Sequence, residues 1–279
     1  MSTARTATLT TFAMTAFAAN SLLCRAALKS GRIDATSFTV VRLLSAALML
    51  WLILRCRRQP QHSRGNWPSA VALFVYAAAF SYAYIALPAA TGALLLFAAV
   101  QFSMIAWGIR RGERFTPTQL TGLLLACGGL VVMLLPGLTA PPLAAAVLML
   151  AAGFAWGIYS IQGQQSLNPL ADTAANFLRT LPLAVVLGLI MGPQIKLDPT
   201  GLAYAIASGS LASGLGYTLW YMALSDLRAL SAATIQLSVP LIAALGGIVL
   251  LGETLTLRLV LTGAAILSGI LLVIQGKKN

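Results

Sequence analysis

Apolar residues run along this chain in stretches about 20 residues long, broken by short clusters of Gly, Pro, Arg and Asp. A helix rises about 1.5 Å per residue, so a stretch of that length crosses the roughly 30 Å hydrocarbon core of a bilayer. Ten stretches qualify: residues 8–29, 37–55, 67–87, 88–110, 117–135, 142–163, 173–192, 199–223, 229–251 and 256–275. The breaks between them carry turn chemistry, as at Gln59-Pro60, Gly112-Glu113, Pro136-Gly137, Pro141-Pro142, Asn168-Pro169, Gly192-Pro193 and Asp198-Pro199. Between the third and fourth stretches there is little more than Leu87-Pro88. The pattern predicts an all-α integral membrane protein of ten transmembrane helices.

Composition agrees and removes the alternatives. Of the 279 residues, 59% are hydrophobic and 9% charged, against about 25% charged in soluble domains. The net charge of +12 would suggest a nucleic-acid partner in a soluble protein, but the basic residues stand in short loops, where they orient membrane proteins. With the N-terminus in the cytoplasm, the inner loops hold Arg5, Arg55, Arg57, Arg58, Arg64, Arg110, Arg111, Arg114, Arg228, Lys277 and Lys278, and the outer loops hold Lys29, Arg32, Lys196 and Arg258. That bias predicts both termini inside. Cys24, Cys56, Cys127 and the lone His62 offer neither a disulfide framework nor a metal site. Residues 5–18 mimic a secretory signal, but the stretch has a counterpart later in the chain and reads as the first helix.

That counterpart belongs to a repeat. At a shift of 137 residues, Phe17-Ala18 meets Phe154-Ala155, Thr36 meets Thr173, Arg42 meets Arg179 and Tyr84 meets Tyr221. The shift then becomes 140, and Gly112-Glu113 meets Gly252-Glu253. Each half holds five helices, an odd number, so the second half (139–279) crosses the membrane in the opposite sense to the first (1–138). Inverted-topology repeats are common among secondary transporters, because two similar halves can exchange conformations and open the protein to either side.

The segments Leu94–Glu113 and Thr234–Glu253, each a fourth-type helix ending in Gly-Glu before a Gly-containing fifth helix, resemble the drug/metabolite transporter superfamily in its ten-helix EamA branch. Gly153–Tyr159 is similar to the opening of that family's second half, and the likeness spans essentially the whole chain. Many relatives carry Pro in both fourth-type helices; here Pro240 keeps it in the second, while Val100-Gln101 replaces it in the first. The resemblance implies a metabolite carrier, with bacterial exporters of amino acids, aromatic ones included, as the nearest functional likeness. It also implies a central cavity between helices 1, 3, 4, 6, 8 and 9, with helices 5 and 10 outside it.

Candidate chemistry follows from what is polar within the spans. The six carboxylates, Asp34, Glu113, Asp172, Asp198, Asp226 and Glu253, fall at helix ends or in loops, which favours a facilitator or exchanger over an ion-coupled pump. Glu113 and Glu253 are read as complements to the positive N-terminal end of the helix that follows each. Arg42, Arg179 and Arg25 either snorkel as anchors or meet a substrate carboxylate. The amides Asn20, Gln101 and Gln236 must face inward, as interhelical contacts or as cavity lining. Aromatic walls with a few amides suit an amphipathic ligand. The candidate substrate-binding set is therefore Asn20, Tyr76, Phe80, Tyr82, Phe97, Gln101, Trp156, Tyr159, Tyr217 and Gln236.

The expected function is transport of amino acids and related small amphipathic metabolites by alternating access, mainly outward. A multidrug or nucleotide-sugar carrier is the alternative, ahead of a membrane-embedded transferase or a channel. No catalytic residue, cofactor or metal is expected. The partners expected are a small-molecule substrate and the lipid bilayer, without nucleic acid; the chain is read as a monomer in a bacterial inner membrane.

Overall fold

The computed structural model of the chain describes residues 3–57, 65–112, 116–137, 140–163, 166–191, 196–224, 227 and 235–276. Its helices are α1 (Thr3–Lys29), α2 (Ala35–Cys56), α3 (Trp67–Tyr84), α4 (Ala89–Arg110), α5 (Pro117–Leu134), α6 (Leu143–Gly163), α7 (Pro169–Met191), α8 (Pro199–Ala207), α9 (Gly216–Leu224), α10 (Ser238–Leu251) and α11 (Leu257–Gln275). A π-helical segment, Ser208–Leu215, joins α8 to α9, so that the three form one span. With α10 as the ninth span and α11 as the tenth, these are the ten crossings the hydrophobic pattern predicts.

Local chemistry sets the boundaries. Asp34, Asn66, Thr116, Asp198 and Thr256 each cap a helix by accepting a first-turn backbone N–H. Thr116 and Gln119 complete a capping box around Pro117. The seventh helix begins at Pro169, four residues earlier than the apolar run, because Asn168 Oδ1 accepts from Ala171 N and Pro169 suits a first helical position. The third ends at Tyr84, short of Pro88, whose ring disfavours helical backbone just before it. The ninth stretch is read as beginning at residue 229, but residues 228–234 lie outside the described residues; α10 starts at Ser238, after a turn at Leu237. Pro240 accounts for that break, having no N–H for the Gln236 carbonyl and a ring that collides with it.

Gly112 and Gly252 end the two fourth-type helices with φ of +88° and +60°. Backbone of that hand costs a side chain but not glycine, which explains the repeated Gly of the Gly-Glu pair.

The packing shows the repeat. α6 lies against α3 and α4, and its equivalent, α1, lies against the eighth span and α10. Equivalent helices also pack on each other: α2 on α7, α4 on α10, α5 on α11. That is the signature of a pseudo-two-fold axis relating two halves of opposite orientation. Outward-facing apolar side chains such as Leu124, Leu189 and Val249 are left for lipid.

α5 and α11 meet through a seam of small residues. Gly122, Ala126 and Gly129 are buried against Ile266, Gly269 and Ile270. A Cβ on Gly122 would fall 2.5 Å from the Gly269 carbonyl oxygen, and one on Gly269 would fall 2.5 Å from that of Gly122. Such mutual approach is the membrane route to van der Waals packing, since lipid removes the hydrophobic drive between helices. Gly122→Val should therefore destabilise the protein by about 1–3 kcal/mol in reversible unfolding from mixed micelles. Gly128→Val, on the open face of α5 with nothing within 4 Å, should change little.

Candidate functional site

A narrow cavity of about 350 Å³, counting its mouth, lies between the halves. Phe17, Asn20 and Ser21 of α1, Tyr76 and Phe80 of α3, Leu96 and Phe97 of α4, Trp156 of α6, Ala212 of the π segment and Tyr217 of α9 line it. Its free interior is water-sized, so a metabolite enters only if the walls part. Those walls are side-chain rings rather than backbone: the Trp156 centroid stands 5.0 Å from both Tyr76 and Tyr217, and Phe17 meets Tyr217 edge-on at 5.7 Å.

One side of the cavity is a polar chain. Ser208 Oγ donates to Asn20 Oδ1 (2.6 Å), Asn20 Nδ2 donates to Tyr76 Oη (3.1 Å), and Arg42 Nη2 donates to the same Oη (2.9 Å). Behind it the Arg42 guanidinium lies 4.8 Å from the Phe80 ring centroid and 5.1 Å from that of Tyr76. Arg42 is 1% exposed, so it does not snorkel. Its Nε and Nη1 atoms, and the hydroxyl of Tyr217, are buried with no hydrogen-bond partner among the described residues. An arginine at the centre of a spanning helix costs about 2.5–3.5 kcal/mol on insertion scales, an upper bound for Arg42, which stands about two turns into α2. The repeat equivalent, Arg179, is half-buried, and its Nη1 donates back to Ala175 O of its own helix.

The π segment makes this geometry possible. Ser208 and Tyr217 are nine residues apart. In a regular α-helix nine residues make about two and a half turns and face opposite ways. The wider π turn brings both to the cavity side, as π segments at functional sites often do. Gly209 lets this span approach α2: a Cβ there would lie 2.2 Å from the Arg42 carbonyl oxygen.

Of the residues expected from sequence, Asn20, Tyr76, Phe80, Phe97, Trp156 and Tyr217 are brought together around the cavity. Tyr159 stacks on Trp156 at 5.4 Å, but its hydroxyl donates to Thr173 Oγ1 (3.0 Å), which donates on to Tyr221 (3.3 Å). Tyr82 points the other way, with its hydroxyl 2.6 Å from Thr36 Oγ1. Gln101 is buried outside the lining, and Gln236 is half-buried in the short helical stretch before the turn at Leu237. Phe17, Ser21, Leu96 and Ala212 join the lining, and Arg42 and Ser208 back it. The repeat match at Phe17 and the buried charge of Arg42 were signals for two of these; Ser208 had none, because a π segment leaves no periodicity to read.

The end of the molecule at which α1 finishes is closed by an ion pair. Arg25 Nε meets Glu253 Oε1 at 3.1 Å, with both side chains about nine-tenths buried. Arg25 Nη1 also donates to the carbonyls of Tyr84 (3.0 Å) and Ile85 (2.9 Å), and Glu253 Oε2 accepts from Ala89 N (2.8 Å). Glu253 therefore does not serve the next helix, as expected from its position; Thr256 caps that one, and the carboxylate instead joins α1, α3 and α4. Glu113 lies outside the described residues.

The comparison with known families is decisive. The EamA-like transporter family matches twice, at residues 5–135 and 143–275. The chain belongs to the EamA-like transporter family. This EamA-family protein is 56% identical over 97% of its length to an uncharacterized protein of Pseudomonas aeruginosa, covering 94% of that chain. It is 26% identical over 73% of its length to a probable terminal-alkyne amino-acid exporter of Streptantibioticus cattleyicolor, covering 70% of it. A crystal structure aligns at a TM-score of 0.68 and 18% identity over 95% of this chain and 98% of that one, which shows a shared fold. The EamA-family protein is thus a multi-pass membrane transporter of the drug/metabolite superfamily.

The closure gives a prediction. Glu253→Gln leaves Arg25 without its counter-charge, so a cysteine placed at the buried Leu87 should react several-fold faster with a maleimide supplied to that end.

Proposed function

We propose that this transporter carries amino acids and related small amphipathic metabolites, exporting them across a bacterial inner membrane by alternating access. The observation that carries the reading is the cavity itself: aromatic walls and one polar side, set between inverted halves and lined by both. An amphipathic molecule matches that division. The exporter name of the relative from Streptantibioticus cattleyicolor supports the substrate class.

The loop charges orient the protein with both termini in the cytoplasm, which makes the Arg25–Glu253 closure periplasmic and leaves this conformation sealed from outside. Among the described residues, Asp34, Asp172, Asp198 and Glu253 all stand at helix ends. A cavity without an acidic group favours facilitation or exchange over tight ion coupling. The cavity lies within one chain, so a monomer suffices.

Counterflow in proteoliposomes tests this. Vesicles preloaded with unlabelled threonine or phenylalanine should accumulate the labelled amino acid transiently and saturably. Trp156→Ala, which removes the ring between Tyr76 and Tyr217, should raise KM by about tenfold. Linear, non-saturating flux would replace the carrier by a channel, and no exchange of any amino acid would remove the substrate class.

A further inference from the structure

Around the polar side of the cavity, Arg42 and the hydroxyls of Tyr76 and Tyr217 have hydrogens left to donate. Tyr76 Oη already accepts from Asn20 and from Arg42, so its own O–H is left to donate. The Tyr217 hydroxyl is buried without a partner and lies within electrostatic reach of Arg42. Arg42 spends Nη2 on Tyr76, while Nε and Nη1 have no acceptor. Asn20 Oδ1, in the same polar chain, already accepts from Ser208. Among the described residues no carboxylate stands within ion-pair distance of Arg42; the ion pairs there join Arg25 to Glu253 and Arg32 to Asp198.

An unpaired guanidinium within a spanning helix is costly and marks a functional site by default, and an anion that binds there would supply the missing partner. Two ring faces hold Arg42 in place, and its planar fork matches the two oxygens of a carboxylate. We infer that Arg42, with the hydroxyls of Tyr76 and Tyr217, forms the binding site for the carboxylate of the substrate. This rests on the carrier reading above and narrows it: the protein selects organic carboxylates, whether or not they bear an amino group. An ammonium finds no acidic partner in the lining, only ring faces such as that of Trp156. The apolar part of the substrate lies among Phe80, Phe97 and Trp156, and its length is not fixed by a polar end-stop.

Three probes of one carbon skeleton separate the groups: phenylalanine, 3-phenylpropanoate, which lacks the amine, and phenethylamine, which lacks the carboxylate. Binding to the full chain in nanodiscs is read from tryptophan fluorescence, and transport from counterflow. The two acids should bind saturably and phenethylamine at least about tenfold more weakly. Arg42→Gln should weaken both acids by about 10- to 100-fold and leave phenethylamine unchanged, while Arg42→Lys retains part of the affinity. Tyr217→Phe removes only an unpartnered hydroxyl, keeps the fold, and should weaken the acids several-fold. Arg179→Gln, at the repeat-equivalent position, should match wild type. Phenylpropanoate binding that depends on Arg42, with no exchange of amino acids, would support the carboxylate site while removing the amino-acid reading. Phenylalanine exchange equal in wild type, Arg42→Gln and Tyr217→Phe would overturn the site and leave the amino-acid reading standing. Absence of any saturable binding of phenylpropanoate would also overturn it.

Discussion

The bilayer core holds no water, so every polar group that enters it must find its partner within the protein. Most of this chain obeys by local means. Hydroxyls fold back on the preceding turn, as Thr39 does on Ala35 O (2.7 Å), Ser81 on Ala77 O (2.9 Å) and Thr218 on Gly214 O (2.9 Å). Amides join across helices, as Asn20 does between Tyr76 and Ser208. Among the described residues Arg42, Gln101 and Tyr217 keep buried polar atoms without a partner, and of the three only Arg42 is charged. Its helix holds a full positive charge beside the cavity, and the described residues provide rings and one phenolic oxygen but no anion. Residues of α2, α3, the π segment and α9 lie around that one charge.

The same constraint shapes how the molecule moves. Small residues let α5 and α11 touch, and let the eighth span reach the turn of α2 that carries Arg42. Contacts between backbones, without long interlocking side chains, allow packed helices to rock against one another. The Arg25–Glu253 pair joins elements from both halves at one end, so opening that end means parting two charges that also satisfy three backbone groups. A substrate that brings its own charge to Arg42 can change the balance between the halves only through differential contacts in the two states.

Much of this was legible in the chain. Apolar runs gave the ten spans, and the odd number in each half gave the inversion. Thr116-Pro117 is a cap pair in the sequence and a capping box in the structure. Six of the residues chosen for their polarity or aromaticity within the spans surround one cavity. What stayed hidden depends on pairing between distant parts of the chain. Glu253 meets Arg25 across 228 residues, and no local rule distinguishes that from service to the following helix. Arg42 lies near a helix end in sequence, where snorkelling is open to it; only the close approach of Gly209 and the rings of Tyr76 and Phe80 bury it. Tyr82 is one position in a run of aromatics, and only the placement of α2 turns it towards Thr36 and away from the cavity.

The most direct measurement of the central claim is the position of a bound acid. Crystals or lipid-embedded particles of the full chain would be prepared with a 3-phenylpropanoate carrying bromine on its ring, and the bromine and carboxylate located in the resulting map. The account predicts bromine among Phe80, Phe97 and Trp156, with the carboxylate oxygens within hydrogen-bond distance of Arg42 and Tyr217. A ligand lying outside this cavity, or one whose carboxylate points away from Arg42 while the guanidinium keeps its present contacts, would contradict it.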